Sequence, residues 1–109
     1  MNERRNFART PIDVPVFCEI ALPGQSIFPA LLKDISCGGV QVALSPGSTT
    51  EDIVLGQPAL VIGLPAKLGI DPGGIPSIVS WLSPERVGLR FDAPLPLSEE
   101  ALGAIIADI

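Results

Sequence analysis

Arginine recurs in the opening segment Arg4-Arg5-Asn6-Phe7-Ala8-Arg9. Its planar fork of donors is the side chain best shaped to grip phosphate oxygens or the O6/N7 edge of a guanine. Arg5 and Arg9 are four positions apart, which returns them to the same side in either a helical or an extended segment, so the pair can converge on one ligand. Pro11 turns Thr10 away from helical dihedrals and gives the segment a direct exit into the next element. A second cluster, Asp34-Ile35-Ser36-Cys37-Gly38-Gly39, presents a carboxylate and a hydroxyl on one face of an extended strand, with Ile35 pointing inward from the other. Asp34 can accept hydrogen bonds from the N1–H and N2–H₂ donors of a guanine, or it can orient an arginine of the first cluster. Gly39 permits a positive φ or the close approach of a ligand to the backbone. Taken singly, each cluster also has an ordinary account: terminal arginines as a solvated tail, and Asp-x-Ser followed by Gly-Gly as a turn between strands.

Other chemistry is largely excluded by composition. The 109 residues contain no His and no Tyr, so imidazole acid–base work, His-containing triads and His-ligated metal sites cannot be assembled. Cys18 and Cys37 are too widely spaced for a C-x-x-C redox pair or half of a zinc site, and read as free buried thiols. The carboxylate pairs Glu51-Asp52 and Glu99-Glu100 fit a loop and a helix start better than an acidic active site. No catalytic role is expected. Trp81 can stack on a base or serve as a core or interface residue, and Arg86 and Arg90 read as solvated flanks of the last strand or as extensions of a ligand surface. The formal charge is −5, which argues against general nucleic-acid binding. That charge is uneven: the first ten residues sum to +2 and the rest to −7, a cationic arm on an acidic body. Binding of an anion to such an arm should weaken as salt screens it over a Debye length of ~8 Å.

One domain is expected at this length. We divide the chain into an arginine-rich arm over residues 1–11 and a folded unit over residues 12–109. Apolar residues make up 47% of the chain and aromatics 5%, so the core must be aliphatic, while twelve Pro and eleven Gly favour short strands and turns over long helices. Strands are expected at Ile12–Leu22, made irregular by Pro15, and at Ser26–Ile35, Gly39–Leu44, Ala59–Leu64, Ser77–Leu82 and Val87–Phe91. The tail changes period: Ser98 can cap a helix, and Leu102, Ile105, Ile106 and Ile109 recur on one face of it. The expected architecture is mainly all-β, a six-stranded antiparallel barrel with a short C-terminal α-helix at an open end. No apolar run is long enough to cross a membrane and the N-terminus lacks a secretory signal, so a cytoplasmic protein without membrane insertion is expected.

In combination, Arg5-x-x-x-Arg9 and Asp34-x-Ser36-x-x-Gly39 resemble the paired signature of PilZ domains, bacterial receptors for cyclic di-GMP. Val79-Ser-Trp81, a short turn and Gly88-Leu-Arg-Phe91 are similar to that family's closing hairpin, so the resemblance runs from Arg4 to Phe91 with a helix beyond. It implies a barrel over which the arginine arm folds to clamp the dinucleotide. Arg5 and Arg9 would contact phosphate and guanine, and Asp34, Ser36 and Gly39 would shape the surface beneath the base. Arg4 would add charge or stacking. It further implies that cyclic di-GMP is a ligand rather than a cofactor, and that a downstream protein partner reads the ordered arm. The alternative is a nucleotide-independent interaction module of pilus or flagellar machinery.

Overall fold

The structure, a computed structural model, describes residues 8–24, 27–45, 50–70 and 73–109. Its strands are β1 (Thr10–Pro11), β2 (Phe17–Ala21), β3 (Ile27–Ser36), β4 (Gly39–Leu44), β5 (Pro58–Ile62), β6 (Ile75–Leu82) and β7 (Arg86–Phe91), followed by helix α1 (Glu99–Ala107). All pairings are antiparallel. β2 through β7 run in the order β3-β2-β5-β6-β7-β4, and the β3–β4 pairing closes that ring, giving the six-stranded barrel expected from the sequence. Closure leaves no long edge for another chain to pair with.

The seventh strand is a two-residue bridge. Strand one was expected over Ile12–Leu22 as a single irregular strand, with an edge position or a bulge at Pro15; Pro15 cannot donate to a ladder, and the chain instead breaks there. Thr10 and Pro11, which the sequence reading placed in the arm, pair with Ile35 and Asp34. β2 pairs farther back along β3, from Leu31 to Ile27. Across the gap, Ile12 N–H donates to Lys33 O and Leu32 N–H to Val16 O, both at 2.9 Å, so the break costs few backbone hydrogen bonds.

Inward positions form an aliphatic core in which Ile20, Ile35, Val42 and Val87 are completely shielded from solvent. Burial of such side chains is worth about 1.5–3 kcal/mol each and supplies the main drive to close the barrel. Ser98 caps α1 as expected, its hydroxyl accepting the Ala101 N–H at 3.0 Å, with Glu99 and Glu100 in the first turn. Leu102 is buried, and Ile105 and Ile106 are half-buried against the core. Ile109 departs from the expected stripe: the helix ends at Ala107 and Ile109 is exposed. The segment before α1 crosses the barrel end beside the β3–β4 turn, where Leu95 N–H donates to Cys37 O at 2.7 Å.

Candidate functional site

β3 changes parity midway. Ala30 and Leu32 point into the barrel, and so does Ile35, three residues on. A β-bulge between Leu32 and Asp34 makes the change, since Leu32 pairs with Val42 while Asp34 already pairs with the adjacent Gln41. The extra residue, Lys33, aims Asp34 at the outer wall and returns Ile35 to the core. β6 carries a second bulge between Val79 and Trp81, which likewise shifts Trp81 to the outer wall opposite Gly88. Gln41 pairs with Gly88 in turn, so one cross-strand row runs Asp34, Gln41, Gly88, Trp81, with a bulge setting each end. Gly88 has no room for a side chain because the Trp81 indole lies over its Cα.

The polar members of this row are joined. Arg9 Nη1 donates to Asp34 Oδ1 at 2.8 Å, linking the two clusters singled out in the sequence. Gln41 Nε2 donates to Asp34 Oδ2 at 2.9 Å, and Arg86 Nη1 donates to Gln41 Oε1 at 2.7 Å. The Arg9 side chain is 56% exposed and that of Asp34 only 17%, so the carboxylate is an anchored acceptor and the arginine a largely solvent-facing donor resting on it. Ala8 N–H donates to Glu99 Oε2 at 3.0 Å, which ties the same stretch to the start of α1.

Ser36 and Gly39 lie one step along the barrel. Ser36 Oγ accepts the N–H groups of Gly38 and Gly39, each at 3.1 Å, and its residue is buried. The hydroxyl thus folds the β3–β4 turn. Gly39 was read as allowing a positive φ or a ligand's approach. Positive φ values occur at Gly24, Gly56, Gly63, Gly69 and Gly74 instead, and what approaches Gly39 is the β7 backbone at Leu89 and Arg90. Arg4 and Arg5 lie outside the described residues. Of the expected site residues described, the structure therefore brings Arg9 and Asp34 into contact and places Ser36 and Gly39 at the adjoining turn. Sequence reasoning missed Gln41, which carries no charge, and read Arg86 as a solvated flank or an extension of the ligand surface without giving it a partner. The break in alternation at Leu31-Leu32-Lys33-Asp34 was the available signal that β3 bulges there.

Elsewhere the chemistry is quiet. Both cysteines are free and buried, and burial, with Glu19 adding to it, pushes the Cys18 thiol up to about 11. Burial and then Glu99 raise that of Cys37. Among the described residues no cluster of His, Cys, Asp and Glu could hold a metal ion, and no helix is long and apolar enough to cross a membrane.

Fold and row together define a class: a small closed barrel that offers arginine, carboxylate, amide and indole on one stretch of its outer wall. The PilZ domain family model matches residues 3–108, and the chain belongs to the PilZ domain family. Among solved structures it is similar to the PilZ domain of YcgR from Escherichia coli, determined with c-di-GMP, at a TM-score of 0.65 and 21% identity, covering 96% of this chain and 90% of that one. It is also similar to the Bacillus subtilis inhibitor of motility MotI, at a TM-score of 0.58 and 17% identity, covering 98% of this chain and 49% of that one. This chain thus spans about half the length of MotI. No curated protein sequence matches it.

Proposed function

We propose that this protein is a cytoplasmic cyclic di-GMP receptor without catalytic activity, in which the nucleotide orders the arginine-rich arm ahead of β1 over the barrel and thereby alters a surface read by a partner protein. The observation that carries this reading is the Arg9–Asp34 ion pair, because it joins the two halves of the signature on the outer wall. Arg4, Arg5 and Arg9 supply forks for the two phosphates and guanine edges. Asp34 orients the arm or accepts guanine donors, and Ser36 and Gly39 hold the turn against which the base rests. Membership of the family and the c-di-GMP held by the similar YcgR domain support the choice of ligand. An ordering switch requires the nucleotide to bind the closed arm more tightly than the open one.

The adaptor part is supported by a different stretch of wall. On β2, β3 and β5 the outward residues are also apolar: Phe17 is 74% and Ile27 54% exposed, and Pro29, Leu31, Leu60 and Ile62 surround the single charge of Glu19. A sheet apolar on both faces suits protein contact. Because this stretch shares only β3 with the Asp34–Trp81 row, and uses the part of β3 before its bulge, the same observation favours a second reading, a nucleotide-independent interaction module of pilus or flagellar machinery. Titration calorimetry decides between them. Heat on adding cyclic di-GMP, with affinity about ten- to a hundredfold weaker in Arg9→Ala and in Arg5→Ala, is the expected result. Absence of binding, or wild-type affinity in both variants, would overturn the receptor and leave the interaction module.

A further inference from the structure

Arg9 is held by one point. Only its Nη1 meets Asp34, and no other partner of its guanidinium occurs among the described residues, which leaves the rest of the fork free to meet a ligand. Carboxylates and guanidinium groups ordinarily prefer to pair through two parallel hydrogen bonds. Gln41 Nε2 donates to the second oxygen of Asp34 at 2.9 Å; that oxygen keeps a lone pair, but the bond fixes the rotation of the carboxylate and with it the one-point contact to Arg9. Gln41 is in turn fixed by Arg86: with Nη1 donating to Oε1 at 2.7 Å, only one orientation of the amide satisfies both neighbours. The sheet provides for this reach. Asp34 and Gln41 are direct cross-strand partners, and Arg86 on β7 opposes Ala43, whose short side chain lets it lean diagonally to Gln41.

We infer that Gln41 and Arg86 are positioning residues of this site, a relay that keeps Asp34 from capturing Arg9 in a two-point grip and so leaves the arm arginine available to an anionic ligand. The residue type at position 41 is restrictive. Glutamate would accept from Arg86 but repel Asp34, lysine would donate to Asp34 but repel Arg86, and leucine would do neither. An uncharged amide of this length offers a donor to the carboxylate and an acceptor to the guanidinium at once. Without the relay the Asp34 carboxylate is free to turn, takes Arg9 through both oxygens, and the ligand must then break that closed pair.

The inference rests on the receptor reading for its ligand, so its test has two arms. In the first, cyclic di-GMP is titrated into wild type, Gln41→Leu, Arg86→Ala, Arg86→Lys and the Gln41→Leu/Arg86→Ala double variant, with melting curves to confirm folding. Each of Gln41→Leu and Arg86→Ala should weaken binding about three- to tenfold, the double variant should be no worse than Gln41→Leu, and Arg86→Lys should recover most of the loss. Losses that multiply in the double variant, or wild-type affinity throughout, overturn the relay. The second arm uses no nucleotide: the ¹⁵N guanidinium resonances of Arg9 should shift and gain protection from solvent exchange in Gln41→Leu and Arg86→Ala. Resonances indifferent to both substitutions refute the relay while leaving the receptor intact. Resonances that respond in a protein that binds no cyclic di-GMP uphold the relay and refute the receptor.

Discussion

Replacing Gly39 by alanine separates a packing role from a ligand-facing one. A Cβ at Gly39 would collide with the carbonyl oxygen of Leu89 and lie 3.2 Å from the Arg90 Cα and 3.3 Å from the Leu89 carbonyl carbon. All three obstacles are backbone, so no rotamer change relieves them. An ordinary C···O contact is about 3.3–3.6 Å, which forces β4 and β7 apart by roughly an ångström at this point. The Phe91 N–H to Gly38 O bond at 2.8 Å and the Ser36 hydroxyl bonds of the turn, each at 3.1 Å, are next to the displacement and would weaken with it. Weakening of these three hydrogen bonds, worth about 1 kcal/mol each when intact, with the lost packing beside them, gives about 2–4 kcal/mol of destabilisation. For a domain of this size that lowers Tm by roughly 10–20 °C. Gly24→Ala is the comparison: its φ of 77° strains a side chain but nothing lies within 4 Å, so the cost should stay near ~1 kcal/mol. Urea unfolding of both variants reads these differences directly. A Gly39→Ala protein as stable as wild type would refute the packing account and show that the glycine is required only by what binds there.

Gly103→Ala should act in the opposite direction. No atom lies within 4 Å of the added methyl and the residue sits inside α1, so about 0.8–1 kcal/mol of helix propensity is gained and Tm should rise by several degrees; a neutral or destabilising result would show that the helix packs more tightly there than described. Cys18 contributes to the alkaline limb of stability beside Cys37, whose thiol burial also raises. The folded Cys18 pKa of about 11 lies above the usual thiol range, so the unfolded chain loses its proton first, and the stabilisation is full below about pH 8.5 and lost as pH rises through 11. The loss amounts to about 2–3 kcal/mol, and with no Tyr in the chain no phenol titrates over the same window. Urea midpoints at pH 8 and pH 10.5, with reductant, should differ far more in wild type than in Cys18→Val, and parallel slopes would refute the assignment.

Most of the barrel was legible because its causes are local. Alternating or continuous apolar runs marked five of the strands to within two residues or so at either end, and Pro-Gly or Gly-Gly steps marked the turns between them. Strand one was misjudged because the effect of Pro15 was known but its resolution was not: whether the chain bulges or breaks depends on partners in β3, which local sequence does not name. The helix boundary failed at Ile109 for a related reason, since periodicity continued after Ala107 although packing did not. In the site, charge and spacing were enough to choose Arg9 and Asp34. Gln41 and Arg86 enter only through register, a property of strand pairs rather than of either strand.

The two bulges account for how so apolar a chain keeps a polar patch in one place. Without the extra residue at Lys33, strict alternation after Ala30 and Leu32 would send Asp34 and Ser36 into the barrel and Ile35 out. An unpaired carboxylate in that aliphatic interior would cost several kcal/mol, so the unbulged register is closed to this sequence. The same logic fixes Trp81, whose indole would overfill a core built from Val, Ile and Leu but fits over the bare Cα of Gly88. Core and site are therefore specified by a shared constraint. The irregularities that let Ile35 be buried also set Asp34 beside Gln41, and the arm arginine finds a fixed acceptor because the hydrophobic interior permits no other arrangement of β3.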